Sequence, residues 1–321
     1  MCLFMNQVES RKLSAKDCEA LARITISARK NTPMESKRSV EEVTRNIESL
    51  STNEDFQILT ASDEKGRVVG WTYYYVAFPL MTFISGFLPL VDEKQESEDI
   101  ALSLIEASKR GVIDRGHSRL EIELVFPTDT HRKHSERFIE WYRKCGFQFA
   151  AEEVHMKSDL SAIELPEIEL PKRCVLRNFS EVSYDRLEGP GFQTLKNSKE
   201  GLFLSMSPAE QKVTLEYFFD RSKPYVEDAS LILERESEII GFVITRLKDD
   251  EPEIGPVGLV PEARGQGLAS YLLTRVLKSL KDIGSTSVYL DTTITNLPAQ
   301  KLYRKYGFED VYYKQFYYWS P

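Results

Sequence analysis

A turn containing Gly265 and Gly267 stands between an apolar run and a long amphipathic segment near the C-terminal end of the chain. The segment after the turn has a leucine or valine at every fourth position from Leu268 to Leu280, which predicts a helix with one buried face. A helix N-terminus offers unpaired N–H groups and the positive end of the dipole, and both favour a phosphate. Glycine can adopt positive φ and lets the backbone approach an anion. The spacing therefore predicts a phosphate site at this turn.

Two common phosphate-binding loops do not fit these residues. The nucleoside-triphosphate loop ends in Gly-Lys-Ser or Gly-Lys-Thr, whereas Gly267 is followed by Leu268 and Ala269. The dinucleotide fingerprint directly follows a strand and is continued by further strand–helix units. Here Pro261 to Arg264 separates the glycines from the apolar run, and only about fifty residues follow the turn. Both loops are therefore excluded.

Two motifs in this region together resemble the GCN5-related N-acetyltransferase (GNAT) family. Residues 264–269 read Arg-Gly-Gln-Gly-Leu-Ala and match every defined position of the family's Gln/Arg-x-x-Gly-x-Gly/Ala loop. Residues 296–308 match a second family pattern, Asn-x-x-Ala-x-x-Leu-Tyr-x-x-x-Gly-Phe. The two motifs occur in the family's order, with a predicted helix and a predicted strand between them. The resemblance implies a GNAT fold of the α/β class (an α+β mixed sheet), acyltransferase activity and acetyl-CoA as the cofactor.

The same resemblance assigns roles in cofactor binding to three segments. Backbone amides from Arg264 to Ala269 would hold the pyrophosphate, and Ser270 could add its hydroxyl. The strand Val257–Val260 would pair with the pantetheine arm, and the N–H of Leu259 would polarise the thioester oxygen. Asn296 would lie beside the pantetheine, although it could equally be a helix N-cap ahead of Pro298. The expected cofactor-binding residues are Val257, Leu259, Val260, Arg264, Gly265, Gln266, Gly267, Leu268, Ala269, Ser270, Asn296 and Tyr303.

Catalysis of acetyl transfer requires a base for the amine and an acid for the departing thiolate. Tyr303 occupies the position of the family's general acid, and a phenol can assist proton transfer to a thiolate. Glu253, at the start of the strand before the loop, is the expected base, acting directly or through water. A solvated charged turn is the alternative for Glu253, because Asp249 to Glu251 crowd the same place. Asp291, in the next predicted strand, is a second candidate base.

The N-terminal half contains a segment whose sequence is similar to the second motif. Phe138–Phe147 ends in Tyr-Arg-Lys-Cys-Gly-Phe, and Gln300–Phe308 ends in Tyr-Arg-Lys-Tyr-Gly-Phe. The predicted elements before each segment follow the same order, which favours two tandem GNAT domains over a coincidental helix C-cap. The expected boundaries are residues 1–160 for a degenerate GNAT-like domain, 161–171 for an extended linker, and 172–321 for the GNAT domain with the acetyl-CoA site.

The first copy is expected to have lost its cofactor loop. At the corresponding place it has Asp92–Asp99, which contains five carboxylates and no glycine. Those charges would repel a pyrophosphate. Tyr142, the counterpart of Tyr303, is therefore predicted to be a packing residue, and the first copy to shape the acceptor pocket or stabilise the second.

Composition and charge narrow the possible partners. The chain has 321 residues, 41% hydrophobic and 29% charged, with a net charge of −8 and a pI of about 5.3. An acidic chain disfavours nucleic acid and mildly favours a cationic amine. The four cysteines have neither metal-ligand spacing nor disulfide density, which fits a reducing cytoplasm. His131 and His134 have no carboxylate or cysteine partner at metal-binding spacing, so no metal is expected.

The segment from Val68 to Val91 has no charged residue and is long enough to cross a bilayer. It is rich in strand-forming residues and contains Pro79, Gly86 and Pro89, so two buried strands joined near Pro79 are predicted, from Val68 to Phe78 and from Thr82 to Val91. The final segment, Tyr312–Trp319, is predicted to be a strand whose aromatic side chains pack, with an aromatic acceptor wall as the alternative. No membrane partner and a cytoplasmic location are expected.

The expected reaction is acetyl transfer from acetyl-CoA to a primary amine of a small molecule, by direct attack in a ternary complex. Two alternatives stay open: an acetyltransferase of protein N-termini or lysines, and a non-catalytic acetyl-CoA-binding regulatory protein. The identity of the acceptor and the oligomeric state do not follow from the sequence.

Overall fold

The computed structural model describes residues 7–10, 12–92 and 97–321, and the chain divides into two compact units. The first unit comprises the chain up to Ala150 together with Lys314–Pro321, and the second comprises Ala151–Tyr313. The predicted division at residues 160 and 172 does not anticipate that the end of the chain belongs with the first unit. Half of the acidic segment expected in place of the first cofactor loop, residues 93–96, lies outside the described residues.

The first unit alternates strands and helices in the order expected for one copy. Ser14 and Ser39 begin α1 and α2 with capping boxes, in which the serine accepts an N–H and an acidic side chain accepts the serine N–H in return. The elements are β1 Gln7–Glu9, α1 Ala15–Arg29, α2 Val40–Thr52, β2 Phe56–Ser62, β3 Val68–Phe78, β4 Met81–Ile84, β5 Leu90–Val91, α3 Ser97–Asp114, β6 Arg119–Phe126 and α4 Asp129–Lys144.

The uncharged segment forms strands, as predicted, but its second strand is shorter than expected. The prediction of one strand from Thr82 to Val91 is wrong, because β4 ends at Ile84 and β5 begins only at Leu90. Gly86 lies in this break, where a Cβ would stand 2.3 Å from the carbonyl oxygen of Glu123, so the chain passes closer to neighbouring backbone than a side chain would allow. No helix of the described residues is long and apolar enough to cross a membrane.

Tyr142 and the aromatic C-terminal residues pack within the first unit. Tyr142 is fully buried and its hydroxyl donates to the carbonyl of Leu88 at 3.0 Å, which confirms the predicted packing role. Tyr317 meets Phe149 edge to face with ring centroids 5.5 Å apart. The ammonium of Lys109 lies 4.7 Å from the centre of the Trp319 ring, a cation–π contact. These contacts give the last strand a packing role.

The second unit contains the same alternation with an additional helical segment. Leu160 is buried, and Ile163 and Leu165 of the predicted linker pack against the core of this unit, so that the segment is not a free tether. The elements are β8 Cys174–Asn178, α5 Tyr184–Lys196, α6 Gly201–Leu204, α7 Pro208–Phe218, β9 Leu231–Arg235, β10 Glu238–Lys248, β11 Glu251–Leu259, α8 Leu268–Asp282, β12 Ser287–Thr293 and α9 Leu297–Lys305. The strand β7 Gln148–Asp159 enters the unit at its start, and β13 Glu309–Trp319 leaves it at its end.

Helices cover both faces of the sheet in the second unit. Its strands run in the order β7, β12, β11, β10, β9, β8, all antiparallel except the parallel pair β11–β12. Ile254 and Leu290 share a core with α8. Because strand side chains alternate between faces, Glu253, Asp291 and Thr293 belong to the opposite face, on which Phe242 packs with the α5 and α7 core. The sheet therefore presents acidic and hydroxyl groups on the face opposite α8.

Candidate active site

The glycine turn has the geometry that an anion site requires. Gly265 and Gly267 have φ values of 73° and 78°, as predicted, and α8 begins at Leu268 without a side-chain cap. A Cβ built at either glycine would meet no atom within 4 Å, so the space beside the turn is open. The first backbone bond of the helix runs from the N–H of Tyr271 to Gly267 at 3.0 Å. In the described ranges, the N–H groups from Gly265 to Ser270 have no protein acceptor.

The side chains of Arg264 and Gln266 hold the turn in place. The Arg264 guanidinium donates to the carbonyls of Leu259 at 3.1 Å, Asn197 at 2.7 Å and Thr194 at 3.2 Å. The Gln266 side chain donates to the carbonyl of Glu262 at 2.7 Å and accepts from Arg235 at 2.9 Å. The polar side chains thus fix the loop, which leaves the backbone to face a ligand.

The strands β11 and β12 separate after Ile254, so that β11 continues toward the turn without a β12 partner. They pair only at Glu253 with Tyr289 and at Ile254 with Leu290, whereas β11 stays paired with β10 as far as Leu259. The β10 partner is bulged between Val243 and Thr245, which bends the pair locally. The edge of β11 beyond Ile254 is therefore left without a β12 partner.

Backbone alternation directs specific groups into this split. The N–H of Val260 donates to the carbonyl of Ile240 in β10 at 3.0 Å. Because successive N–H groups of a strand point to opposite edges, the N–H groups of Leu259 and Val257 point away from β10, toward the split. Val260 itself is buried and Val257 and Leu259 are half-buried. The split thus offers the edge that an extended ligand arm would pair with.

A carboxylate that sequence reasoning missed, Glu200, reaches the end of the split from the start of α6. It accepts a hydrogen bond from the Thr293 hydroxyl at 2.9 Å and another from the side chain of Asn296. Burial raises the pKa of Glu200, the two hydrogen bonds oppose this effect, and the charge of Asp291 adds to it. Asn296 is the N-cap residue of α9, but its side chain makes no capping hydrogen bond. The side-chain amide interacts with Glu200 instead. Glu200 has no motif around it that could have revealed this role.

Tyr303 lies beside this carboxylate, on α9. It is 7% exposed, and within the described part of the chain its hydroxyl makes no hydrogen bond. Burial, and after it the negative charge of Glu200, raise the pKa of Tyr303 well above its usual value. The phenol is therefore protonated throughout the physiological range and remains available as a donor.

The two predicted bases have other partners in the structure. Glu253 stands where β11 and β12 are still paired, and Lys248 lies 3.7 Å from its carboxylate. The Asp291 carboxylate is hydrogen-bonded to the Nδ1 of His155 at 2.8 Å. The His155 ring stacks on the ring of Tyr312, with the two centroids 4.4 Å apart. The role of Glu253 as the base remains a prediction. Asp291 is bonded to His155 of the neighbouring strand β7, and it is close enough to Glu200 for its charge to act on that carboxylate.

The remaining predicted residues are brought together at the N-terminus of α8. Leu268 is 1% exposed and its side chain packs in the core, so only its backbone can serve a ligand. The carbonyl of Ser270 accepts a hydrogen bond from the Tyr306 hydroxyl at 3.2 Å. Among the described residues, no cluster of histidine, cysteine or acidic side chains could hold a metal ion. The described cysteines Cys18, Cys145 and Cys174 are free and buried.

Comparison with known proteins shows which family and which relatives this chain is similar to. Residues 200–308 match the Acetyltransferase (GNAT) family. The mycothiol acetyltransferase of Arthrobacter sp. strain FB24 is 28% identical over 238 residues, which covers 70% of this chain and 71% of that protein. The match thus extends well beyond the region assigned to the family.

Solved structures show the fold. The GCN5-related N-acetyltransferase from Sphaerobacter thermophilus aligns with a TM-score of 0.57 at 16% identity, covering 98% of this chain and 95% of that one. A tandem GNAT protein from the clavulanic acid biosynthesis pathway aligns with a TM-score of 0.51 at 14% identity, covering 98% of both chains. The fold is the mixed α/β architecture of GNAT proteins, tandem ones included, and the matched family and the Arthrobacter relative are acetyltransferases. The part of the chain from residue 200 to residue 308 thus matches the GNAT family of acetyltransferases.

Proposed function

We propose that the second unit transfers an acetyl group from acetyl-CoA to a primary amine of a small molecule. The observation that carries this proposal is the continuity of the site. Unpaired amides at Gly265–Ser270 lead to the open edge of β11, and the free hydroxyl of Tyr303 lies at the far end beside Glu200. Acetyl-CoA carries a diphosphate, an amide-bearing arm and a thioester in this order along its length. Each of these groups would meet one of the three features in turn.

The residues of the site fit acetyl-CoA. The open space beside Gly265 and Gly267 would admit a pyrophosphate against backbone N–H groups, where the positive end of the α8 dipole favours it. The edge of β11 would pair with the pantetheine amides as an added strand does. Acetyl-CoA, when bound, supplies the acetyl group and a thiolate leaving group.

The protein's own groups would position the reactants and move two protons. The N–H of Leu259, pointing into the split, would donate to the oxygen that gains charge during attack. Tyr303 would donate its proton to the departing sulfur, because its raised pKa keeps the phenol protonated. Asn296 would keep Glu200 oriented through the hydrogen bond between them.

We assign the removal of the amine proton to Glu200. A carboxylate whose pKa is raised by burial is a stronger base than an exposed one. Glu200 is also the carboxylate whose charge acts on Tyr303, which puts it beside the predicted reaction centre. Glu253, at the mouth of the split, remains the base predicted from the family resemblance, and the pH profiles described in the Discussion separate the two.

The surroundings of the split suit a cationic acceptor. Glu253 and Asp291 share one face of the sheet, and the charge of Asp291 acts on Glu200. Negative charges of this kind attract an ammonium group before it loses its proton. The Arthrobacter relative is a mycothiol acetyltransferase, which supports a small molecule over a protein as the acceptor.

The test of this function is steady release of thiol from acetyl-CoA in the presence of a panel of amines. The panel should contain small primary amines, peptides with free N-termini and peptides with internal lysines. Turnover with a small amine and not with the peptides supports the proposal, whereas turnover with peptides alone assigns the chain to protein acetylation. Binding of acetyl-CoA without amine-dependent thiol release across the panel would make it a non-catalytic binding protein.

Replacing Gly267 by Ala is expected to weaken acetyl-CoA binding about tenfold or more, since a Cβ would stand beside the amides that hold the pyrophosphate. Gly284 at the other end of α8 provides a matched control. Its φ is 86° and a Cβ there also meets nothing within 4 Å, so Gly284→Ala introduces the same backbone strain away from the site. Calorimetry on both variants would contradict the assignment if they lost affinity equally.

A further inference from the structure

The first unit contains a cavity of about 240 Å³ to which no function has been assigned above. It lies between the second half of α1, α2 and β3, and its lining residues all belong to this unit. A cavity of this size is too small for a molecule as large as acetyl-CoA and suits a compact organic ligand.

Two arginines give one end of the cavity a positive charge: Arg29 is half-buried, whereas Arg38 is exposed and interacts by charge with Glu42, which does not line the cavity. Arg29, the last residue of α1, and Arg38, just before α2, both line the cavity, and no acidic residue does. The Nε of Arg29 is buried without a hydrogen-bond partner. Neither arginine forms an ion pair with any residue that the structure describes. A half-buried guanidinium without a counter-charge is unfavourable, and a bound anion would relieve it.

The other walls of the cavity are aromatic and aliphatic. Trp71 is 4% exposed, and its indole N–H donates to the hydroxyl of Thr25 at 3.2 Å, which fixes the ring. The ring centroids of Tyr73 and Trp71 are 6.0 Å apart. Tyr73 is also close enough to Arg29 for an electrostatic interaction between the two side chains. Ile47 and Leu88, both nearly fully buried, complete the apolar lining. The cavity thus combines one cationic end with an apolar body.

We propose that this cavity is a binding site for a small organic anion, whose carboxylate or phosphate pairs with Arg29 and Arg38 and whose apolar body lies against Trp71. Guanidinium groups match both anions with paired hydrogen bonds, and Arg29 has an unused Nε donor for that purpose. The proposal concerns the first unit and is independent of the acetyl transfer assigned to the second. It gives that unit a binding role of its own.

The test uses benzoate and phenyl phosphate as probes and the neutral benzamide as the control ligand, with the full chain in every case. Binding is measured by calorimetry and by the rise in melting temperature at millimolar ligand. Benzoate or phenyl phosphate should bind and benzamide should not, and the stronger of the two anions identifies the carboxylate or the phosphate as the preferred group.

Arg29→Met is the decisive variant because it keeps the length of the side chain and removes the charge. It should weaken binding of the anion about 10- to 100-fold, as the loss of a charge-assisted pair does, while the melting temperature of the free protein does not fall. Arg23→Gln is the matched control: Arg23 is on the same helix, 65% exposed and paired with Glu19, so its loss should leave binding unchanged. Absence of binding by both anions, equal binding of benzamide, or an equal loss in the Arg23 variant would overturn the proposal.

Discussion

Replacing Tyr303 by Phe is expected to lower kcat about 100-fold or more while the affinity for acetyl-CoA barely changes. The substitution removes only the hydroxyl, which is the group proposed to protonate the departing sulfur. The hydroxyl makes no hydrogen bond to another described residue, so its loss leaves no partner unsatisfied and should not disturb the fold. Steady-state kinetics with a fixed amine, together with calorimetry for acetyl-CoA, measure the two quantities separately.

The same substitution in the first unit provides the control. Tyr142→Phe removes a hydroxyl that is bonded to the carbonyl of Leu88, so it should decrease the free energy of unfolding by about 1 kcal/mol. It should leave kcat unchanged, since Tyr142 is fully buried and serves packing. An unaltered kcat in Tyr303→Phe would remove this tyrosine from the mechanism.

Replacing Glu200 by Gln is expected to lower kcat/KM about 100-fold or more, because the amide cannot accept the amine proton. Burial raises the pKa of Glu200, so the acidic limb of the wild-type kcat/KM profile should lie above the ordinary range of a glutamate. The limb should disappear in Glu200→Gln and persist in Glu253→Gln. The opposite result would assign the base to Glu253, as the family resemblance predicts.

The stability of the Glu200 variant provides an independent measurement with a definite sign. A raised pKa means that the folded protein holds this proton more tightly than the unfolded chain, so ionised Glu200 lowers stability as pH rises through its folded pKa. Glu200→Gln should therefore melt at a higher temperature than the wild type at pH 8, and the difference should shrink as the pH falls toward the ordinary glutamate value. A lower melting temperature at pH 8 would show that the carboxylate is needed for folding.

The sequence by itself determined the local features of the site. Positive φ at Gly265 and Gly267 and the start of α8 at Leu268 follow from residue types within a few positions of each other, so the motif carries them. The order of strands and helices in both units is equally local, since it depends on apolar periodicity and turn residues. The packing role of Tyr142 followed from comparing two short segments of the same chain.

Only the tertiary structure decided which groups surround the proposed reaction centre. Glu200 meets Thr293 across 93 positions of sequence, and no local spacing encodes a hydrogen bond formed by two distant elements. Sequence reasoning assigned no role to the Arg264 side chain, and only the fold shows that its guanidinium donates to the carbonyls of Asn197 and Thr194, which α5 brings to the turn. The separation of β11 from β12 likewise depends on strand pairing, which is a property of the folded sheet and not of either strand alone.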